Sequence, residues 1–323
     1  MNPSTRFLRS VSLAFITMAM SCSDDDTEQP SPYKWEESAI SPDNLFSHAQ
    51  FEVGDDGFLY TWGTLPSTGQ RAIFRYTGNY LNTWETIAEV NLDVYSNVES
   101  LTIIQGSVYL HVFNKLYKVE NGLTSEILSA DLITGIATLQ NNIVICGEGI
   151  NVSNDKFTIV SYDGTTFQPM SKELALGRII SANDKLYVQG FPGFSYDGQD
   201  LDSLDFYGYF YAVDEDESIY FGESLFSDFT MERKLANGQV ETVGDVIRGF
   251  GAPHEVDLYN GTLFIASAPE FADDISTVYF LRDDKKWIKI PTEHYIYDVV
   301  IFDNKLFSIS WDGKIYELVN NSE

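Results

Sequence analysis

The chain has 323 residues and a formal net charge of −28, because 48 acidic residues outnumber 20 Lys and Arg. So acidic a surface repels phosphate backbones, which excludes nucleic acid as a partner and disfavours polyanionic glycans. Neutral sugars, peptides and cations remain open as ligands. Two cysteines are too few for a disulfide scaffold, and the length suits one large domain or two smaller ones.

The first residues of the chain have the layout of an export signal. Arg6 and Arg9 precede an apolar run over residues 11–20 that is too short to span a bilayer, and the small residues of "AMSC" follow. Cys22 stands where a lipid-modified cysteine belongs. We therefore expect the following domain organisation: a signal peptide over residues 1–21, a lipidated Cys22 with an acidic tether over residues 22–32, and a folded domain over residues 33–323.

The segment "CSDDD", which begins at Cys22, resembles the lipobox and acidic export signal of Bacteroidota surface lipoproteins. The resemblance implies an outer-membrane lipoprotein that is exposed at the cell surface and touches the membrane through its lipid anchor only. An ordinary cleaved leader or a short anchor helix is the alternative. If Cys22 carries lipid, Cys146 has no intramolecular partner, and we expect it to be a buried core thiol.

A polar turn followed by an apolar and aromatic strand recurs seven times along the chain, as in "QGSVYLHV" and "DNKLFSIS". The spacing between copies ranges from 33 to 49 residues, with a mean near 41. Such a period is typical of the four-stranded blade of a β-propeller. The equivalent apolar positions are Leu59, Val108, Ile143, Leu186, Ile219, Leu263 and Leu306.

The seventh copy ends after its third strand, in "GKIYELVNNSE". The segment "YKWEESA" near the start of the chain matches the fourth strands of other copies, with Trp35 in the place of Trp84 and Trp287. Pairing this segment onto the last blade would remove an open sheet edge. We therefore predict an all-β, seven-bladed β-propeller of four-stranded antiparallel blades, closed by the N-terminal strand. Six blades plus an insertion is the alternative, because residues 194–206 must supply two short strands.

Across residues 33–323 the chain resembles β-propeller families in general, and its late aromatic positions resemble the kelch or galactose-oxidase type. The sequence lacks the Gly-Gly doublet of kelch repeats and the Trp-Asp ending of WD40 repeats. The kelch-like resemblance therefore implies the fold and carries over no catalytic residue.

Antiparallel strands place two kinds of connection on opposite faces of a propeller. On one face, here named the long-loop face, the second strand of each blade connects to the third and the fourth connects to the next blade. Its loops are longer and more varied than the Asn, Asp and Gly turns of the opposite face, named the short-turn face.

We predict that the long-loop face binds a glycan, peptide or protein ligand. The predicted contact residues are Trp62, Phe191, Phe194, Phe226, Phe271 and Trp311, with Arg178 and Arg248 as carboxylate-binding groups. Inward packing of the rings between blades, and pairing of the arginines with local acids, are the alternatives.

Two groups of residues suggest metal ions. His48, His254 and His294 fall in or just before the connections that enter blades 1, 6 and 7, which are consecutive around a closed ring, and their convergence would give a zinc site. The acidic stretch "DGQDLDSLD" over residues 197–205 could hold calcium, although a solvated turn is the alternative. His111 lies within a second strand, and we expect it to be a core residue.

Three functional classes are compatible with these features. The first is a cell-surface binding protein without chemistry of its own. The second is a polysaccharide hydrolase or lyase at the channel mouth that uses Glu255 and the three histidines. The third is a structural subunit of an outer-membrane assembly. The sequence contains no CxxC pair, no phosphate-binding glycine loop and no recognisable Ser/His/Asp order, which favours the first class.

Overall fold

The computed structural model describes residues 31–41, 51–54, 56–65, 68–78, 84–90, 100–120, 123–173, 175–207, 209–225, 228–248, 250, 253–259, 261–267, 277–294, 296–310 and 313–320. These residues form 28 β-strands. None of them belongs to a helix with the length and apolar character needed to cross a membrane.

The strands form seven antiparallel sheets of four, and each sheet is one blade. Blade 1 contains β2 (Phe51–Val53), β3 (Leu59–Thr64), β4 (Arg71–Tyr76) and β5 (Trp84–Val90). Blade 2 contains β6 (Ser100–Ile104), β7 (Ser107–Val112), β8 (Lys115–Glu120) and β9 (Leu123–Ser129). Blade 3 contains β10 (Leu132–Leu139), β11 (Asn142–Val152), β12 (Asp155–Tyr162) and β13 (Phe167–Ser171). Blade 4 contains β14 (Ala175–Ala182), β15 (Lys185–Gly190), β16 (Phe194–Tyr196) and β17 (Leu201–Ser203).

The remaining three blades repeat the same order. Blade 5 contains β18 (Phe210–Val213), β19 (Ile219–Leu225), β20 (Asp228–Lys234) and β21 (Val240–Ile247). Blade 6 contains β22 (Pro253–Tyr259), β23 (Thr262–Ser267), β24 (Thr277–Leu281) and β25 (Trp287–Ile290). Blade 7 contains β26 (Ile296–Phe302), β27 (Lys305–Ser310), β28 (Ile315–Asn320) and the first strand of the chain, β1 (Tyr33–Glu37). The seven-bladed prediction is confirmed, and the six-bladed alternative is wrong.

The N-terminal strand closes the ring as predicted. β1 pairs antiparallel with β28, and Trp35 lies opposite Leu318. The Ser38 amide extends the pairing by donating to the Ile315 carbonyl at 2.8 Å, and Lys314 Nζ lies 3.0 Å from Glu37 Oε2. The first and last strands of the propeller are therefore held in one sheet, which satisfies backbone groups that an open blade would expose.

The core is a ring of apolar layers between neighbouring blades. Each pair of adjacent blades shares one cluster of buried side chains, including the pair formed by blades 7 and 1. All seven repeated apolar positions are buried, with side-chain exposures of 7% or less. Successive side chains of a strand point to opposite sides of its sheet, so each inner blade surface is covered by the next blade. Cys146 is fully buried between blades 3 and 4, as expected, and burial raises the pKa of its thiol to about 12.

Short hairpin turns join the first and second strands on the short-turn face. Asn183 and Asp184 have φ angles of 54° and 57°, and Asp303 and Asn304 have φ angles of 50° and 56°. Two consecutive left-handed residues match the type I′ turn, whose twist fits that of the flanking strands. The turns between third and fourth strands use aspartate instead: the Asp163 carboxylate accepts hydrogen bonds from the hydroxyls and the amides of Thr165 and Thr166, which lower the pKa of Asp163 below its usual range.

Two connections on the long-loop face are shorter than predicted. β11 and β12 continue through the predicted loop at 147–156 and meet in a two-residue turn, and only residues 226 and 227 separate β19 from β20. In blade 3 the register shifts between Cys146 and Ile150, so a β-bulge interrupts the apolar alternation that would have indicated a strand. A Cβ at Gly147 would lie 2.1 Å from the Leu132 carbonyl oxygen, so glycine is required at this bulge.

Candidate functional site: the channel mouth and its rim

A polar cavity of about 380 Å³ lies between the inner strands of blades 7, 1, 2, 3 and 4. The inner strand, which is the first strand of each blade, begins at the long-loop face, and the second strand ends there. Residues near the start of an inner strand or near the end of a second strand therefore surround the mouth of the cavity. The polar side chains that line it are Glu52, Ser100, His111, Thr134, Arg178 and Asp298. Only Arg178 among them was predicted to bind a ligand.

Two carboxyl groups share the side of the cavity formed by blades 7 and 1. Asp298 Oδ2 accepts a hydrogen bond from the Phe51 amide at 2.7 Å, and Oδ1 accepts one from the Val299 amide at 3.0 Å. Burial, and secondly the negative charge of Asp298, raise the pKa of Glu52 to about 8. Within the described part of the chain, the Glu52 carboxyl has no hydrogen-bond or ion-pair partner. It is therefore mostly protonated at neutral pH.

Arg178 lies on β14, across the ring from blades 7 and 1. Its amide donates to Gln189 Oε1 at 3.2 Å, and the Gln189 side-chain amide donates in turn to the Phe210 carbonyl. This buried glutamine links the inner strands of blades 4 and 5 and so fixes the backbone that carries Arg178. Burial raises the pKa of Tyr211, and the charge of Arg178 partly offsets that rise.

His111 lies near the end of β7 and is buried, as expected for a core residue. Its Nε2 lies 2.6 Å from the Phe113 carbonyl oxygen, which can only accept, so Nε2 carries the hydrogen. The imidazole ring nevertheless forms part of the cavity wall. The second strand of blade 2 thus contributes to the cavity as well as to the core.

Exposed aromatic side chains lie on the long-loop face. Five aromatic side chains are exposed in the described part of the chain, and four of them belong to connections on this face. The four are Phe113, Phe191, Tyr207 and Tyr209, with exposures of 53%, 44%, 67% and 57%. The fifth, Phe58, lies on the short-turn face under the Arg75 guanidinium. Sequence analysis missed three of the four, although the run "DFYGYF" between two blades contains two of them.

Hydrogen bonds join two of the connections that carry these rings. The Gly193 amide donates to the Phe206 carbonyl at 2.9 Å, and the Leu204 amide donates to the Gly193 carbonyl at 2.7 Å. The loop of Phe191 is therefore attached to the connection of Tyr207 and Tyr209. The ring of Phe206 anchors that connection in the core between blades 4 and 5.

Two predicted contact residues occupy core positions instead of the rim. Trp62 lies within β3, is 4% exposed and packs between blades 1 and 2, with the Arg71 guanidinium 5.0 Å from its ring. Phe194 begins β16, is also 4% exposed and packs between blades 3 and 4. Both rings pack inward between blades, which was the alternative prediction, because the alternation of side chains along a strand directs them into this space. Neither belongs to the binding surface proposed below.

The other predicted residues are distributed as follows. Arg248 is exposed after the end of β21. His294 stacks on Tyr316 with ring centroids 3.6 Å apart and touches Trp35 with its edge, so it lies against the outer strands of blade 7 and away from the cavity. Outside the described residues lie Cys22, His48, Phe226, Phe271 and Trp311, together with the side chains of His254 and Glu255.

No group of three or more His, Cys, Asp or Glu in the described ranges is arranged to hold a metal ion. In the acidic stretch at 197–205, Asp197 Oδ1 accepts hydrogen bonds from the amides of Gln199 and Asp200, each at 2.9 Å. This carboxylate therefore stabilises its own turn. The hydrolase or lyase alternative depends on residues outside the described part and on His294, which is remote from the cavity.

No protein-family model and no curated protein sequence matches the chain. Solved structures match its fold. The extracellular domain of the B. thetaiotaomicron protein BT4673 is 8% identical with a TM-score of 0.54, and the match covers 91% of this chain and 43% of that one. BamB from Moraxella catarrhalis is 13% identical with a TM-score of 0.53, and the match covers 85% and 83% of the two chains. At such identities the likeness concerns the β-propeller fold alone.

Proposed function

We propose that the chain is a non-catalytic binding protein that holds a glycan, a peptide or a partner protein on its long-loop face. The observation that carries this proposal is the asymmetry of the two faces. Four of the five exposed aromatic side chains of the described residues lie on one face, and the polar cavity is lined by the first residues of β2 and β6 and by the end of β7, which belong to the same face. Exposed rings around a polar pocket suit sugars and peptides, which combine flat apolar surfaces with hydrogen-bonding groups.

The rigidity of the scaffold supports the same proposal. Phe113 and Phe191 follow strands that are buried between blades, and the buried Phe206 ring anchors the connection of Tyr207 and Tyr209, so little conformational entropy would be lost when a ligand orders them. The acidic surface favours neutral or cationic ligands over polyanions.

In this proposal the protein acts at the cell surface, attached to the outer membrane through a lipid on Cys22. The layout of residues 1–32 supports this location, and one of the proteins with a similar fold is itself described as an extracellular domain. The Cys22→Ala variant tests it: the variant should fail to incorporate labelled fatty acid and should leave the membrane fraction.

Binding is tested by applying the full chain to glycan and peptide arrays and then comparing variants on every probe that binds. Phe191→Ser, Tyr207→Ser and Tyr209→Ser together should reduce affinity at least about tenfold, because aromatic contacts in binding sites commonly contribute more than 1 kcal/mol. Phe58→Ser, on the short-turn face, is the matched control and should bind as the natural chain does.

Equal binding by the triple variant and the control would overturn the proposal. Recovery of a partner protein in fixed stoichiometry, with no array probe bound, would favour a structural subunit of an assembly.

A further inference from the structure

Among the described residues, no side chain or backbone group pairs with the Glu52 carboxyl, which lines the channel cavity together with Asp298. Its side chain is only partly accessible, because the inner strands surround it, yet it reaches the cavity. Nearly all buried polar groups in folded proteins are hydrogen-bonded, so a carboxyl without a partner in such a position calls for a ligand or a solvent molecule.

The charge of Asp298 increases the free-energy cost of ionising Glu52. Burial is the main cause of the raised pKa of Glu52, and the charge of Asp298 adds to it, because two carboxyl groups that line one confined cavity cannot both ionise at low cost. Asp298 itself is held in place by the amides of Phe51 and Val299. A cation that entered between the two side chains would satisfy Glu52 and cancel the repulsion.

A metal ion is the poorer candidate for this cation. Calcium takes six to eight oxygen ligands and zinc takes four, whereas the described residues offer no group of three or more metal-binding side chains here. An ammonium group needs only two or three acceptors. The volume of about 380 Å³ lies within the range of small-molecule sites and leaves room for the rest of an organic ligand.

We propose that the cavity binds the ammonium group of an amine-bearing sugar or peptide side chain between the carboxyl groups of Glu52 and Asp298. The inference rests on the proposed binding function and names the chemistry of its central subsite. The aromatic rim would contact the remainder of the same ligand.

Such binding would be coupled to pH. Glu52 must lose its proton to pair fully with an ammonium group, so affinity for a lysine-type ammonium, which stays protonated in this range, should rise between about pH 6 and pH 8 as the Glu52 carboxyl ionises. Among the described residues, the other titratable or charged groups that face the cavity are Asp298 from β26, His111 from β7 and Arg178 from β14. A contribution of His111 would persist in the Glu52→Gln variant, whereas the contribution of Glu52 would vanish.

The test is calorimetric titration of the full chain with two matched pairs of probes. The sugar pair is D-glucosamine and N-acetyl-D-glucosamine, and the peptide pair is Nα-acetyl-lysine amide with and without an acetyl group on its side-chain nitrogen. In at least one pair the ammonium form should bind about tenfold or more tightly than its acetylated form, and the pair that responds identifies the source of the amine. Glu52→Gln should abolish this preference, and Glu120→Gln, which removes an exposed carboxylate far from the cavity, should keep it.

Several results would overturn the inference: no binding of either ammonium probe up to about 10 mM, equal binding of the acetylated forms, an unchanged preference in Glu52→Gln, or binding of Ca²⁺ in place of the amines. Failure here is separable from failure of the proposed function. If array ligands still depend on Phe191, Tyr207 and Tyr209, the long-loop face binds and only the ammonium subsite is wrong.

Discussion

The Glu52 carboxyl is held in the folded protein in a state that it does not prefer in the unfolded chain. Its pKa is about 8 in the fold, against a usual value of 4.5, because burial and the charge of Asp298 both favour the neutral form. Between these two pH values the folded state binds more protons than the unfolded state. The contribution of Glu52 to stability is therefore fully present below about pH 4.5 and is lost as the pH rises towards 8.

Replacement of Glu52 by glutamine should remove this loss. We expect the free energy of unfolding of Glu52→Gln to equal that of the natural chain near pH 4.5 and to exceed it by about 1–3 kcal/mol near pH 8. The full desolvation cost does not apply, because the cavity is accessible to water. Chemical unfolding at a series of pH values, with Glu120→Gln as the control, measures the difference. A difference that does not vary with pH would show that Glu52 ionises normally in the fold.

The limits of residue-level prediction have a physical cause. Trp62 lies within β3 and Phe194 begins β16, where one step of alternation separates a rim position from a core position, and the sequence did not specify which side each ring takes. The exposed Tyr207 and Tyr209 lie in a connection between blades, where neither loop length nor turn residues indicate which side chains are exposed. Cys146 was easier to predict, because it ends an uninterrupted apolar run that begins at Ile143.

At the scale of strands, most of the architecture could be predicted from the spacing of the repeated apolar strands and from the residue types of the tight turns. The seven repeated strands were identifiable because apolar residues recur beside Asn, Asp and Gly turns, and the missing fourth strand of the last blade was supplied by residues 33–37. The β11–β12 hairpin was misread as a loop because Gly147 and Gly149 break the alternation at a bulge. Bulges of this kind depend on the partner strand, which local sequence does not reveal.

The pairing of β1 with β28 can be tested by an engineered disulfide. Glu36 lies directly opposite Glu317, so cysteines at these two positions, in a Cys22→Ser background, should oxidise to a bridge in the folded protein. The bridge would close a loop of nearly the whole domain and should raise stability by up to about 4–5 kcal/mol. Electrophoresis under non-reducing conditions and thermal unfolding measure the two effects.

The matched control shifts one cysteine by two residues. Cysteines at Lys34 and Glu317 are diagonal neighbours, and at about 7–8 Å between Cα atoms they should not form a bridge. Equal oxidation of both pairs, or of neither, would contradict the register of the closing strand.

At the scale of the whole molecule, ring closure creates the site. Phe51 and Asp298 are 247 residues apart in the chain, yet a hydrogen bond of 2.7 Å joins them at the channel. The cavity draws residues from five blades, so no local motif contains it, and no sequence pattern could have identified Glu52 or Asp298 as neighbours. The face that contains the cavity was predictable from the direction of the strands, whereas the residues that form it required the three-dimensional ring.

The acidic composition acts at the same scale. A net charge of −28 creates a field that attracts cations from solution, and the acidic side of the cavity lies within that field. An amine-bearing ligand would thus be favoured both during approach and in the bound state, and its association rate should decrease as salt is added.

The measurement that tests the central claim most directly is hydrogen exchange of the full chain with and without the array probe that binds most tightly. The claim is that the long-loop face holds the ligand, so amides at residues 111–114, 130–136 and 189–194 should be protected. Amides of the short turns at residues 105–106, 183–184 and 303–304 should exchange at unchanged rates. Protection confined to those short turns, or the absence of any bound probe or partner, would contradict the account.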